Sequence, residues 1–355
     1  MKNGASAPKA RARPPHGAMP READEVGVIE AAYRVDGTDT DWLTELSEVA
    51  SPLLDRGFGV AAFTAQLTGP TLKVMSISSV GGPQGLASAI VDFTEGADPS
   101  MMAKAFLSGP CSTMTAAAGG PARLRADPAS EALFRVGVND AVGILGADGT
   151  RFVTGISAFL DEKVTLSRAF TARWARIASH LAAGFRIRRA LAAADGPARR
   201  AGLLSGAEAI LNPSGSLAHA EGPAQAARAQ LARAVVAMDR ARSRLRRDDP
   251  HAAVEAWRGL VDGRWSLVEH FDSDGRRFLV ARKNDPDTLG PSAVSLRERQ
   301  VLLRRARGLP LKLISYDLGL SIGAVSKTLR SGMSKLGLSH EAEMIAALAP
   351  PAGQA

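Results

Sequence analysis

The chain has 355 residues, 45% of them hydrophobic and 23% charged, with 35 Gly, 20 Pro and a single Cys. That length suggests two or three domains, and the composition excludes a wholly disordered chain, a membrane-spanning helix, and a disulfide or cysteine-rich metal framework. The net charge of +8 is unevenly spread, at +4 over residues 1–20, −9 over 21–167, +7 over 168–200, +1 over 201–294 and +5 over 295–355. An acidic front joined to basic later parts is the asymmetry expected when one end meets a polyanion, while a solvated surface is the plainer reading of the same charges.

Residues 1–24 hold almost no large apolar side chains and read as a disordered arm. Lys2, Lys9, Arg11 and Arg13 are followed by no apolar segment, so a secretory signal is not expected and a cytoplasmic protein is. Apolar residues at helical spacing run from Asp41 to Leu54 and stop at Arg56-Gly57. Residues 60–67 and 71–78 are β-type runs about Gly69-Pro70, and 140–145 and 151–159 form a second pair about Asp148-Gly149. Between the pairs, residues 79–128 are rich in Gly, Ala and Pro and yield no assignment.

A long amphipathic helix is predicted over 167–191, with Phe170, Trp174, Ile177, Leu181, Phe185 and Leu191 on its apolar side. Its stripe exceeds what one small sheet needs, so it either covers the sheet or makes a dimer interface. Asp195-Gly196-Pro197 marks a boundary. Strands at 207–211 and 216–220 follow, joined by the turn Asn212-Pro213-Ser214-Gly215. Helices are expected over 223–247 and 250–261, then a hairpin of 264–271 and 276–283 about Asp272-Ser273-Asp274-Gly275. Residues 285–294 are a polar, Pro-containing linker.

The last 60 residues are helical in pattern. Ser295 with Glu298 forms a capping-box signature, and that helix ends at Gly308. A short helix follows from Pro310 to Leu318. After the turn Gly319-Leu320-Ser321, the Ser321 hydroxyl can cap a third helix. That helix places Ile322, Val325, Leu329, Met333 and Leu336 on one stripe. Gly323, Ala324, Lys327, Thr328, Ser331, Ser334 and Lys335 lie opposite, with Ser326 and Arg330 on the flank. A short fourth helix is expected over 340–348. Two helices about a tight turn, the second exposing basic and hydroxyl groups, are the layout of a helix-turn-helix.

With Leu296-Arg297-Glu298-Arg299-Gln300-Val301-Leu302, Gly308, Lys312-Leu313-Ile314, Leu318, Leu320-Ser321, Val325, Leu329 and Lys335-Leu336-Gly337-Leu338, residues 295–349 resemble the LuxR/FixJ (GerE-type) DNA-binding domain. The sequence departs from the family at Ala324, Thr328 and His340, and carries Gly323 and Gly332 inside the third helix. The resemblance implies that Ser326, Lys327 and Arg330 face base edges, where cations suit guanine O6 and N7. It implies phosphate contacts from Lys312, Ser321, Thr328 and Lys335, which position without reading sequence. Double-stranded DNA and RNA polymerase are the implied partners, with a homodimer as the assembly.

The order helix, hairpin, hairpin, long helix over 25–195 resembles a GAF-type sensory domain. Residues 204–284 resemble a degenerate PAS unit. Each would be an antiparallel sheet covered by helices, with a pocket for a small-molecule or protein effector between them. The expected fold class is therefore α+β multidomain, GAF/PAS-like antiparallel-sheet domains preceding an all-α helix-turn-helix domain. Repeated βα units of a phosphorylated receiver are missing, and so is the Trp/Tyr/Asp cluster of an acyl-homoserine-lactone pocket.

Cys111 lacks the adjacent His of a chromophore- or flavin-attachment cysteine and reads as a buried or loose thiol, and His180, His219 and His270 have no second ligand at helical spacing, so no metal or cofactor is expected. Asp272 and Asp274 read as turn residues rather than calcium ligands. Arg242, Arg244 and Arg246 form a basic helix face, solvated or adding nonspecific DNA contact. No catalytic residues can be placed. The expectation is a one-component transcriptional regulator, not an enzyme. The rival reading is a signalling or scaffold protein whose helix-turn-helix has become a protein-interaction module, which Gly323, Gly332 and Thr328 favour.

Overall fold

The computed structural model describes residues 24–68, 71–97, 110–147, 152–194, 196, 202–257, 259–261, 264–272, 274–284, 296–306, 309–318, 320–335, 340–342 and 344. The remainder of the arm at 1–24, the linker 285–294 and most of the predicted helix at 340–348 lie outside the described residues. Asp24, assigned to the arm, instead opens the fold. Its carboxylate accepts the Gly27 amide at 2.8 Å and caps α1 (Glu25–Ala32).

The chain is α+β with two antiparallel sheets. Helix α2 (Asp39–Leu54) starts in a Thr38/Asp41 capping box. Strands β1 (Val60–Thr68) and β2 (Thr71–Val80) form the first hairpin. The stretch without sequence assignment folds into α3 (Leu86–Gly96), β3 (Cys111–Thr113), α4 (Met114–Ala118) and α5 (Pro121–Ala126), followed by α6 (Ser130–Arg135). Then come β4 (Asp140–Ala147), β5 (Phe152–Leu160) and the long α7 (Arg168–Ala192).

The second sheet is built from β6 (Ala207–Leu211), β7 (Leu217–Ala220), β8 (Leu260–Val261), β9 (Trp265–Phe271) and β10 (Arg277–Lys283). Its order is β7-β6-β10-β9-β8, and that of the first sheet is β2-β1-β5-β4-β3. Counted within each unit, both orders are 2-1-5-4-3. The same topology is thus made twice from sequences with no visible repeat.

Two helix expectations need correction. The single helix expected over 223–247 is three pieces, α8 (Gly222–Ala226), α9 (Arg228–Arg242) and α10 (Arg244–Asp248). The break at Ser243 turns Arg246 back toward α1, where it pairs with Asp24 and Glu30. The helix expected over 250–261 stops as α11 (Pro250–Ala256), because Leu260 and Val261 pair with Ser266 and Trp265 as the edge strand β8. Only tertiary pairing distinguishes so short an apolar run from another helical turn.

Alternation along β1, β4 and β5 sends Val60, Ala62, Val142, Ile144, Ile156 and Ala158 toward α2 and α7, where they meet Trp42, Leu46, Ile177 and Leu181. The same continuous cluster takes in Val28 and Ile29 of α1, Leu231 and Val235 of α9, and Leu267 and Leu279 of the second sheet. Farther along α7, Ile187 packs with Leu203 and Val268. The wide apolar stripe of α7 is therefore spent within the chain, on the first sheet, α1 and the second unit. At Gly184 a Cβ would lie 1.8 Å from the Ala32 carbonyl oxygen, so only glycine lets α1 and α7 approach this closely.

The charge asymmetry is used internally as well. Arg173 pairs with Glu25, and Arg188 with Asp39, each close to 3 Å. Arg188 also donates to the carbonyls of Arg34, Asp36 and Gly37, fixing the connection between α1 and α2. Arg242 reaches Glu30 and Glu269. Arg242 and Arg246 are therefore neither a solvated face nor a polyanion surface, because they join the acidic front of the chain to its second unit. Arg244, paired with Asp248 and largely exposed, is the member of that run that stays solvated.

Candidate functional site

Residues 296–344 build a separate small core. Helices α12 (Leu296–Ala306), α13 (Leu311–Leu318) and α14 (Ile322–Lys335) bury Val301, Leu302, Ile314, Val325, Leu329 and Met333 against one another, with Met344 closing the cluster. The Ser321 hydroxyl accepts the Ala324 amide at 3.1 Å, which is the cap expected from the sequence. Glu341 pairs with Arg305 at 2.9 Å and fixes the chain after α14.

Around this core Lys312, Ser321, Lys327 and Arg330 are exposed, while Ser326 and Thr328 are half-buried. Lys327 and Arg330 are three residues apart and share one side of α14. Lys335 is the last residue of the helix. Three features differ from expectation. Ile322, placed on the buried stripe, is 50% exposed, and Leu313 on α13 is 48% exposed. Ser331, placed on the solvent face, is half-buried and donates to the Glu298 carboxylate at 2.6 Å. Val325, Leu329 and Met333 of the same stripe stay in the core, so the departure is confined to the first turn of α14 and to the Ser331 contact.

Gly332 is the third. A Cβ there would stand 2.9 Å from Leu302 Cδ1 and 3.3 Å from Glu298 Cβ, so glycine is what lets α14 lie against α12. Gly323 has open space around it. The sequence presents the two as equivalent helix-weakening residues, and only the packing separates them.

A second candidate site lies on the other face of the first sheet. Phe63, Leu145 and Phe159 on the strands face Ile90 and Phe93 of α3 and Met114 of α4 across a cavity that opens to solvent. Sequence reasoning anticipated a pocket between sheet and helices but could not name its walls, because α3, β3 and α4 fall in the stretch that gave no periodic signal.

Of the discounted residues, His180 and Cys111 are buried and Asp272 holds a turn. His180 is buried on α7, and its Nδ1 lies 3.0 Å from the Tyr33 hydroxyl. Burial pushes its pKa down to about 3 and raises that of Tyr33. The neutral imidazole and the tyrosine hydroxyl share one hydrogen bond in that arrangement. Cys111 is buried, and burial pushes its thiol up to about 12. Asp272 accepts the amides of Asp274 and Arg276, as a turn residue does. Among the described residues no three His, Cys, Asp or Glu side chains are grouped to hold a metal ion, and no helix is long and apolar enough to cross a membrane.

No family model matches the chain, and no curated protein matches it. Among solved structures, the bacteriophytochrome RpBphP3 from the photosynthetic bacterium R. palustris is similar at 13% identity and a TM-score of 0.30, over 73% of this chain and 61% of that one. The chain thus spans less than two thirds of that protein's resolved length. A likeness of this size establishes neither a shared fold nor a shared ligand.

Proposed function

We propose that the protein is a sequence-specific DNA-binding transcriptional regulator, dimeric and cytoplasmic, with RNA polymerase as its further partner. In this reading residues 295–349 are a LuxR-like helix-turn-helix unit, and the two sheet-containing units are a GAF-like and a PAS-like sensory region. The observation that carries it is the placement of Lys327 and Arg330 on one exposed side of α14, while Val325, Leu329 and Met333 hold its other side in a core. The shared 2-1-5-4-3 strand order supports treating the two sheets as related sensory units. Because Arg173, Arg188, Arg242 and Arg246 are spent on carboxylates within the chain, residues 295–355 at +5 are the better candidate for a polyanion contact.

An effector bound within residues 25–284 would change dimerisation or the spacing of the two DNA-reading units. A two-fold protein selects an inverted repeat whose half-sites are about one helical turn apart. The test is selection of retained sequences from random duplex DNA by the full-length protein. Lys327→Ala or Arg330→Ala should cost about 1–3 kcal/mol and relax sequence choice, whereas Lys312→Ala should weaken all sequences alike. Affinity should also fall steeply with salt. Equal losses on selected and random DNA for all three variants would remove the assignment of roles.

One observation favours a second reading. Leu313 and Ile322, each about half exposed, put apolar surface on the same small unit, as a protein-binding module would. Retention of no preferred sequence by the full-length chain would favour it.

A further inference from the structure

The cavity of the first unit has a specific origin. Ser112, Gly143, Ser157 and Ala61 pair in register across β3, β4, β5 and β1, so four small residues lie in one row on one face of the sheet. Such a row leaves a hollow where larger side chains would fill the layer between sheet and helices. At one end of it, glycine at 155 allows Leu145 and Phe63 to close together, since a Cβ there would stand within about 3 Å of both. Phe159 bounds the other end, and Phe93 and Met114 form the helical wall.

The chemistry of the lining is one-sided. Its polar groups are the hydroxyls of Thr94, Ser112, Thr113 and Ser157, and among the described lining residues none is charged. A carboxylate or phosphate brought here would lose its hydration without gaining a counter-charge. An aromatic ring would meet three phenylalanines and a thioether, all of which pack well against it. We infer that this cavity binds an uncharged, largely apolar small molecule, an aromatic one foremost, with hydroxyls orienting one or two polar groups. The inference rests on the reading of this region as sensory and adds the class of effector.

The test uses the full-length protein and calorimetric titration with indole and naphthalene as uncharged probes and indole-3-carboxylate as the charged counterpart. Indole or naphthalene should bind saturably, with the carboxylate at least about a hundredfold weaker. Gly143→Leu should abolish binding. Its Cβ would meet nothing nearer than the Ser112 carbonyl oxygen at 3.8 Å, so the new side chain enters the cavity without displacing the sheet. Ser157→Leu, from the neighbouring strand, is the second variant should Gly143→Leu not fold. Equal or tighter binding of the carboxylate, no saturable binding of either uncharged probe, or undiminished binding by a folded Gly143→Leu or Ser157→Leu protein would each overturn the inference. Binding is scored without DNA, so failure of the DNA selection removes the regulator reading and leaves this result intact.

Discussion

His180 and the two glycines of α14 show how a single position takes its meaning from what surrounds it. His180 is neutral in the folded protein because burial disfavours the imidazolium, with its pKa pushed down to about 3. Unfolded, the same side chain titrates near 6.5. Between these values the unfolded state binds the extra proton, so stability is intact above about pH 6.5 and is lost as pH falls, by up to about 1.4 kcal/mol per unit from this group. Denaturant midpoints at pH 7.5 and 4.5 should therefore converge in His180→Gln relative to the parent, and an unchanged pH dependence would refute the attribution. At the glycines, Gly323→Ala should leave stability equal or raise it by up to about 1 kcal/mol, whereas Gly332→Ala should lower it through the contacts at Leu302 and Glu298. Thermal midpoints of the two variants decide this, and equal shifts would contradict the packing of α12 on α14.

Among elements, α1 does more than its eight residues suggest. It lies against α2, α7 and α11 and presents Glu25, Glu30 and its cap Asp24 to arginines from three separate segments. Arg246 is nearly buried between Asp24 and Glu30, so removing it leaves Asp24 without its counter-charge in a poorly solvated place and leaves Glu30 with Arg242 alone. Arg246→Ala should cost about 3 kcal/mol and increase proteolysis around α1. A loss no larger than that of the exposed Arg244→Ala would show that the network is merely a surface one. The break at Ser243, which the sequence does not signal, is the geometric condition for this contact.

For the whole molecule, the continuous apolar cluster shared by both sheets makes residues 24–284 one cooperative body despite two sheets. Calorimetry should show one transition for the two sheet-containing units and a separate one for the C-terminal helical unit, whose core is its own. Independent melting of the two sheets would mean that α1 and α7 do not couple them. That coupling bears on the proposed mechanism, because an effector seated in the first sheet can influence distant residues only through elements that both units share.

Many of the local elements were legible in residue spacing. Period-2 and period-3.6 patterns located both hairpins of the first sheet, the helix at Arg168–Ala192 and the helices of the C-terminal unit to within a few residues, because each is specified by its own neighbours. Ser321 as a cap and Asp272 as a turn residue were legible for the same reason. Other features arise only from contacts between distant segments. The two-residue strand β8 and the three-residue strand β3 exist only through pairing with residues remote from them in the chain. The basic run at 168–200 promises a polyanion until Arg173 and Arg188 are seen to face Glu25 and Asp39. The cavity walls come from segments too short or too rich in small residues to carry a period. Burial, charge pairing and cavity volume depend on what lies opposite a residue in space, and spacing along the chain does not hold that information.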